Sequence, residues 1–241
     1  MLKRLTLIIT LLILNQAALA GPPQQPEDQK YISARTELIK NHLKPAGIKN
    51  QTVLDAMLKV ERHKFVPEKY RGRAYENISL PIGKIQTISQ PYMVALMTEA
   101  IRPKPGQKVL EIGTGTGYSA AVLGEIVGEV YTIDIESELA KTADARLKEL
   151  GYKNIYVKEG DGFFGWPEVA PFDGIILTCT ADKVPPKLAE QLKEGGRLVM
   201  PLGRDFSPQT MVVITKTNGV LVARPLVEVQ FVPMLGEIKK N

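Results

Sequence analysis

Three glycines at alternate positions, Gly113, Gly115 and Gly117, follow the apolar run Val109, Leu110 and Ile112, and together they read as a buried strand ending in a tight turn. Ala121, Val122, Leu123, Ile126 and Val127 then recur at helical spacing within 118 to 127, so the turn joins a strand to a helix. Such a turn is where open α/β sheets bind nucleotides, because glycine tolerates positive φ and lets a ligand approach the backbone with no Cβ in the way. Asp134 lies at the end of the next apolar run, 19 residues after Gly115, where a carboxylate accepts hydrogen bonds from ribose hydroxyls and disfavours a 2′-phosphate. Read from Gly115 the turn is G-x-G-x-x-A, a dinucleotide fingerprint; read from Gly113 it is not, since Tyr118 holds the last position. The glycines leave a nicotinamide cofactor and S-adenosylmethionine both open, with a tight turn that binds nothing as the plain alternative.

Other reactive residue types are sparse. Hydroxyls and amides cluster in Gln86-Thr87-Ile88-Ser89-Gln90, inside a stretch from 61 to 90 where Pro67, Gly72, Pro81 and Gly83 break any long period; a loop of that length is long enough to be functional. His42 and His63, the only histidines, fall in segments that read as helical preface and surface and form no Ser-His-Asp grouping, which fits structural or solvated roles. Cys179, the single cysteine, ends an apolar strand with no basic residue closely flanking it and reads as a small core residue. It cannot form an internal disulfide and is silent on compartment. No histidine or cysteine cluster supports a zinc site, and Met93 and Met97 pair as core by helical spacing. Trp166, between Gly165 and Pro167, suits an adenine floor or packing equally.

The elements that must position these groups alternate in type. The spacing predicts a helix over 32–43, a break at Pro45-Ala46-Gly47, and a second helix capped by Asn50 with Val53, Leu54, Met57 and Leu58 on one face. Pro91 suits a helix start, with Met93, Val94, Leu96, Met97 and Ile101 as its core face. After the glycine turn come a strand over 130–135, a helix capped by Ser137 and closed by Gly151, a strand over 154–157 leading into Gly160-Asp161-Gly162, and a strand over 172–178. A helix from Pro185-Pro186 to Gly195-Gly196 follows, then strands over 197–201, 210–215 and from 220 onwards, the last two joined by Asn218-Gly219, a hairpin signal. The order predicts an α/β fold: a doubly wound, mostly parallel sheet with an N-terminal helical extension and a β-rich C-terminal end.

Length and charge narrow the setting. The 241 residues, 44% hydrophobic and 24% charged, suffice for one substantial core. The formal charge is +5, or 5 − 2 = +3 without Lys3 and Arg4, with mixed signs and no long basic run, so no nucleic-acid surface is expected. Lys3 and Arg4, the apolar run Leu5 to Leu14, and Ala18-Leu19-Ala20 before Gly21 read as a secretory signal over 1–20, too short to span a bilayer comfortably. Residues 21–30 read as a disordered spacer, and 31–241 as the main domain. The expectation is a periplasmic protein, monomeric and free of stable membrane association once the signal is removed. A cytoplasmic location is the alternative, since S-adenosylmethionine is made there.

The strings EIGTGTGYSAAV, GDG at 160 to 162 and above all LPIGKIQTISQPYMVALM at 80 to 97, with RHKFVPEKYRGRAYENISLPIG and the terminal QFVPMLGE, closely resemble the protein-L-isoaspartate O-methyltransferase family from about Ser33 to the C-terminus. The resemblance implies transfer of a methyl group from S-adenosylmethionine to the free α-carboxylate of isoaspartyl residues in damaged peptides and proteins; the ester then cyclises to a succinimide that can reopen to aspartate. It implies an active-site Ser89 with Thr87 beside it, cofactor contacts from Glu111, Gly113, Gly115, Gly117, Asp134, Asp161 and Gly162, and substrate contacts from Ile88, Val232 and Pro233 next to Phe231. Gln230 stands where an arginine is common in relatives, and Thr178-Cys179-Thr180-Ala181 replaces a more alanine-rich turn, a change expected to matter little. The rival readings are an exported non-catalytic binding protein on the same fold and a nicotinamide-dependent oxidoreductase, which would leave the TISQ loop without a purpose.

Overall fold

A computed structural model describes residues 26–83 and 85–240. The expected signal over 1–20 lies outside the described residues. Helix α1 (Pro26–Leu38) starts ahead of the expected residue 32, so 26–30, read as spacer, are helical, and the chain continues through a wider turn over Ile39–Leu43 that buries Ile39 and Leu43. Asn50 caps α2 (Gln51–Lys59) as its type suggests, its side chain accepting from Thr52 N at 3.0 Å and Val53 N at 3.4 Å. Val53, Leu54, Ala56 and Met57 form the buried face, whereas Leu58 points outward. A small hairpin of β1 (Leu80–Pro81) and β2 (Thr87–Ile88) precedes α3 (Pro91–Ala100), which opens on its proline.

The main sheet has the order β5-β4-β3-β6-β7-β8-β9. Its strands are β3 (Lys108–Ile112), β4 (Glu129–Asp134), β5 (Ile155–Glu159), β6 (Phe172–Leu177), β7 (Leu192–Leu202), β8 (Gln209–Thr217) and β9 (Val220–Val229). The first five positions in that order pair in parallel and the last two strands are antiparallel. Helices α4 (Tyr118–Gly124), α5 (Ser137–Glu149) and α6 (Pro186–Gln191) connect the parallel part. Successive strands step one way from β3 to β5 and the other way from β6 onward, so the strand order reverses between β3 and β6. A crevice opens beyond their carboxyl ends at that switch point. The period-two alternation of side chains sends Val109, Val130, Ile176 and Val199 into a core shared with α2, α3 and α4, and Leu110, Ile112, Ile133, Ile175 and Met200 into a second core shared with α6.

Local chemistry departs from the sequence reading at two places. Ser137 is the first helical residue rather than the cap, and its hydroxyl donates to Glu159 Oε2 at 2.8 Å. Gly195-Gly196 do not end α6; they lie inside the long β7, where a Cβ on Gly196 would meet Lys193 O at 2.8 Å and Asp173 O at 3.1 Å. The Asn218-Gly219 hairpin holds, with φ of 53° and 76°, the positive pair that a two-residue turn of this kind needs.

Candidate active site

The turn after β3 is held from both sides. Gly113 N (2.8 Å) and Thr114 N (3.2 Å) donate to Ile133 O of β4, and Arg146 on α5 donates to Thr116 O at 2.8 Å. Gly113 has φ 98°, and a Cβ there would lie 2.1 Å from Thr178 Oγ1. Any other residue would be strained and would displace a hydroxyl bonded to Gly113 O (2.9 Å) and Ile112 O (3.1 Å). Gly117 answers to packing: its Cβ would meet Leu147 of α5 at 3.1 Å. Gly113 and Gly115 line the cleft above the turn, and Gly117 does not.

The three acidic residues expected around the cofactor have different fates. Asp134 stands in the cleft wall, its Oδ2 accepting from Gly115 N at 2.7 Å and its Oδ1 from Glu136 N at 3.0 Å. Burial raises its pKa and the two amides pull it back down. Each oxygen retains a lone pair, so Asp134 both braces the turn and presents an acceptor. Glu111 does not reach the cleft. It is fully buried beneath the turn, with Oε2 accepting from Thr132 Oγ1 at 2.7 Å, Thr132 Oγ1 in turn 2.8 Å from Thr114 Oγ1, and Oε1 without a hydrogen bond. Burial pushes its carboxyl up to about 7, against the pull of Ser119 and Thr132, so its contact with the turn is indirect. Asp161 does not line the cleft: its Oδ1 accepts from Phe163 N at 2.9 Å and its Oδ2 from Glu237 N at 2.7 Å, which ties the C-terminal tail to the turn after β5. Its neighbour Gly162 does line the cleft, and a Cβ there would lie 2.3 Å from Ile112.

The opposite wall is assembled from short pieces. Pairing of Leu80 with Ile88 and Pro81 with Thr87 buries Ile88, exposes Thr87 and leaves Ser89 half-buried just before α3. Arg62, wholly buried, donates from Nη2 to Ser89 O and from Nε to Ala74 O, both at 2.8 Å. Its guanidinium also lies 4.8 Å from the ring centroid of Tyr118, the first residue of α4. Burial lowers its pKa to about 10, so the charge persists at neutral pH. One buried cation therefore joins the backbone of the hydroxyl loop to the helix of the glycine turn. His63 is structural: it stacks on Tyr31 at 3.9 Å, and its Nδ1 lies 2.8 Å from Tyr75 Oη.

The tail completes that wall. Thr180 N donates to Val232 O at 2.9 Å, Met234 N donates to Thr180 O at 2.8 Å, and Phe231 N donates to Gln209 Oε1 at 2.7 Å. The buried Thr180 hydroxyl lies 3.2 Å from Pro201 O and 3.3 Å from Gly203 O. The Thr178-Cys179-Thr180 turn is thus not neutral, since Thr178 covers Gly113 and Thr180 holds the tail. Cys179 is half-buried, packed against the second core as its type suggests, and also lines the cleft, with its thiol pushed up to about 12 by burial. Trp166 packs edge-on to Tyr131 at 5.2 Å and stays out of the cleft lining.

Two clefts result. The first, about 1030 Å³ counting its open mouth, is walled by the glycine turn, Asp134, Ile135, Leu139, Gly162, Ile82 and Ile85. The second is a groove lined by Ser79, Gln90, Phe206, Glu228, Gln230 and Phe231. Thr87, Ser89, Thr178 and Val232 line both, whereas Ile88 and Pro233, taken above as substrate contacts, face the first cleft only.

The family model for protein-L-isoaspartate(D-aspartate) O-methyltransferase matches residues 33–239. The chain belongs to that family. A protein-L-isoaspartate O-methyltransferase 2 from Shewanella sediminis is 47% identical over 99% of this chain and 98% of its own length, and a relative from Dictyoglomus turgidum is 54% identical over 86% and 94%. A solved protein-L-isoaspartate O-methyltransferase superposes with a TM-score of 0.76 at 33% identity, covering 85% of this chain and 67% of its own. A structure from Plasmodium falciparum assigned to the same enzyme, in complex with S-adenosyl-L-homocysteine, gives 0.71 at 25% identity over 85% and 98%. Nothing in these matches favours a nicotinamide-dependent or a non-catalytic protein.

The sequence reading missed Arg62, Arg146, Thr178, Thr180 and Gln209 as parts of the site. A buried arginine in an irregular stretch leaves no periodic signal, and the two threonines and Gln209 act through backbone groups far away in the chain.

Proposed function

We propose that this member of the family transfers a methyl group from S-adenosylmethionine to the free α-carboxylate of L-isoaspartyl residues in damaged proteins, with Ser89 orienting that carboxylate. The observation that carries the site is that Ser89 and Thr87 line the cofactor cleft and the neighbouring groove at once. The first cleft suits the cofactor: Asp134 offers acceptors beside Gly115, Ile82, Ile135 and Leu139 offer apolar surface, and the buried Thr116 hydroxyl on its lining makes no hydrogen bond, leaving a group for a ligand to complete. When bound, S-adenosylmethionine supplies an electrophilic methyl group on a sulfonium.

The protein then has little chemistry to perform. An α-carboxyl group with a pKa of about 3.5 is ionised near neutral pH, so no general base is required. In this reading Ser89 Oγ donates to one carboxylate oxygen and leaves the other free to attack, while Arg62 fixes the Ser89 backbone so that the hydroxyl is already in place. The apolar Ile82 and the buried Ile88 on the first cleft's lining limit water beside Ser89, which strengthens the hydrogen bond made there. Export with cleavage after Ala20 belongs to the proposal, supported by the charged start, the apolar run and Ala18-Leu19-Ala20; mass spectrometry of the mature N-terminus on fractionated cells tests it, and an intact Met1 on cytoplasmic protein contradicts it.

Incubation of the purified protein with labelled S-adenosylmethionine and a peptide pair differing only in isoaspartate or aspartate tests the activity. The isoaspartyl peptide alone is expected to gain a base-labile methyl ester. Equal labelling of both would overturn the substrate, and labelling of neither would overturn the reaction.

A further inference from the structure

Among the described residues lining the second groove, the single charged side chain is Glu228. That is unexpected for a groove that shares Ser89 with the first cleft and so lies beside the proposed carboxylate position, because its one fixed charge repels the substrate's reacting group. Glu228 lies on β9 opposite Thr210 and is exposed to solvent. Phe206, on the same lining, is 82% exposed with a φ of 55°. The Phe206 ring gains no burial from folding while its left-handed backbone is strained, and both this residue and Glu228 fall on the same groove. Neither residue lines the cofactor cleft.

Resting on the isoaspartyl reading of Ser89, we propose that Phe206 and Glu228 form a flanking subsite that selects damaged sequences with a lysine or arginine next to the isoaspartyl residue. The two groups match the two halves of such a side chain. The Phe206 ring covers the aliphatic stem and attracts the cation over its face, and the Glu228 carboxylate pairs with the charge at the tip. The reacting α-carboxylate stays near Ser89, where the groove meets the first cleft, and the negative charge on the rim then sorts substrates by their neighbours. A flanking glutamate or aspartate is disfavoured by the same charge. Gln230 and Gln90, the neutral amides on the lining, can bond to peptide backbone without changing that sign.

The test uses the full protein and a series of isoaspartyl peptides that differ only in carrying lysine, alanine or glutamate immediately before or immediately after the isoaspartyl residue. The wild type is expected to show a kcat/KM ratio of lysine to glutamate of about 3- to 10-fold at one of the two positions at low salt, shrinking in 0.5 M salt, as partly exposed pairs do. Glu228→Gln should bring that ratio close to one. Phe206→Ala should raise KM for the lysine peptide, with affinity for S-adenosylhomocysteine as in the wild type. The same lysine-to-glutamate ratio in the wild type and in Glu228→Gln would overturn the subsite while leaving the methyltransferase reading intact. No methylation of any isoaspartyl peptide would overturn that reading and the subsite with it.

Discussion

The two walls of the proposed site, one for the cofactor and one for the substrate, are built in opposite ways. The cofactor wall is continuous chain: β3, its glycine turn and α4 run from Lys108 to Gly124, braced by the end of β4 through Asp134. The substrate wall is a collection of short segments, the β1–β2 hairpin, the turn at Thr178–Thr180 and the tail at Phe231–Met234, held by Arg62, Gln209 and backbone bonds at Thr180. A wall made of sheet ends is rigid and suits a ligand that must always bind in one pose. A wall made of stitched segments can be altered piece by piece, which suits the side that must accept many damaged sequences.

Three substitutions sharpen that contrast. The largest effect is expected from Glu111, beneath the cofactor wall. Its carboxyl titrates at about 7 when folded against an ordinary 4.5, so the native state holds its proton more tightly than the unfolded chain does. Its contribution is therefore fully present below about pH 4.5 and is lost as pH rises through 7, an effect of up to about 3 kcal/mol. Glu111→Gln stays neutral, so without cofactor it should match the wild type near pH 4 and be the more stable of the two at pH 8. Urea unfolding at both pH values measures this, and parallel pH profiles would mean that Glu111 is not held buried and protonated.

Next is Asp134→Ala. The carboxylate holds Gly115 N and Glu136 N and presents acceptors to the cleft, so S-adenosylhomocysteine binding should weaken by roughly 1 to 3 kcal/mol. KM for an isoaspartyl peptide at saturating cofactor should change much less. Unchanged cofactor affinity in calorimetry would show that the Asp134 carboxylate does not read the ligand, and a peptide KM raised as much as the cofactor Kd would show that the two walls are not independent. The smallest effect is expected from Thr180→Val, which keeps the shape and removes the hydroxyl beside Pro201 O and Gly203 O. A cost of about 1 kcal/mol in stability should come with a raised peptide KM and normal cofactor affinity; the reverse pattern would move Thr180 to the other wall.

What the sequence revealed follows the same division. The strand, turn and helix around Gly113, the Asn50 cap and the Asn218-Gly219 hairpin are local patterns, and each was legible because its cause lies within a few residues. Asp134 was legible because the fold fixes its distance from the turn. Glu111 was assigned to the wrong place although a signal existed: strand alternation puts it on the face opposite Leu110 and Ile112, beneath α4. Asp161 carried no such signal, because its partner Glu237 is 76 positions away. Gly195-Gly196 misled because glycine ends helices and also permits close backbone approach, and only the tertiary packing distinguishes the two.

The central claim is that Ser89 orients the substrate carboxylate where the two clefts meet and takes no part in covalent chemistry. Ser89→Ala tests it most directly, with steady-state methylation of an isoaspartyl peptide measured beside calorimetry of S-adenosylhomocysteine. Loss of one orienting hydrogen bond in a partly dry site should lower kcat on the order of 10- to 1000-fold with cofactor affinity nearly intact. Wild-type turnover in Ser89→Ala would contradict the claim.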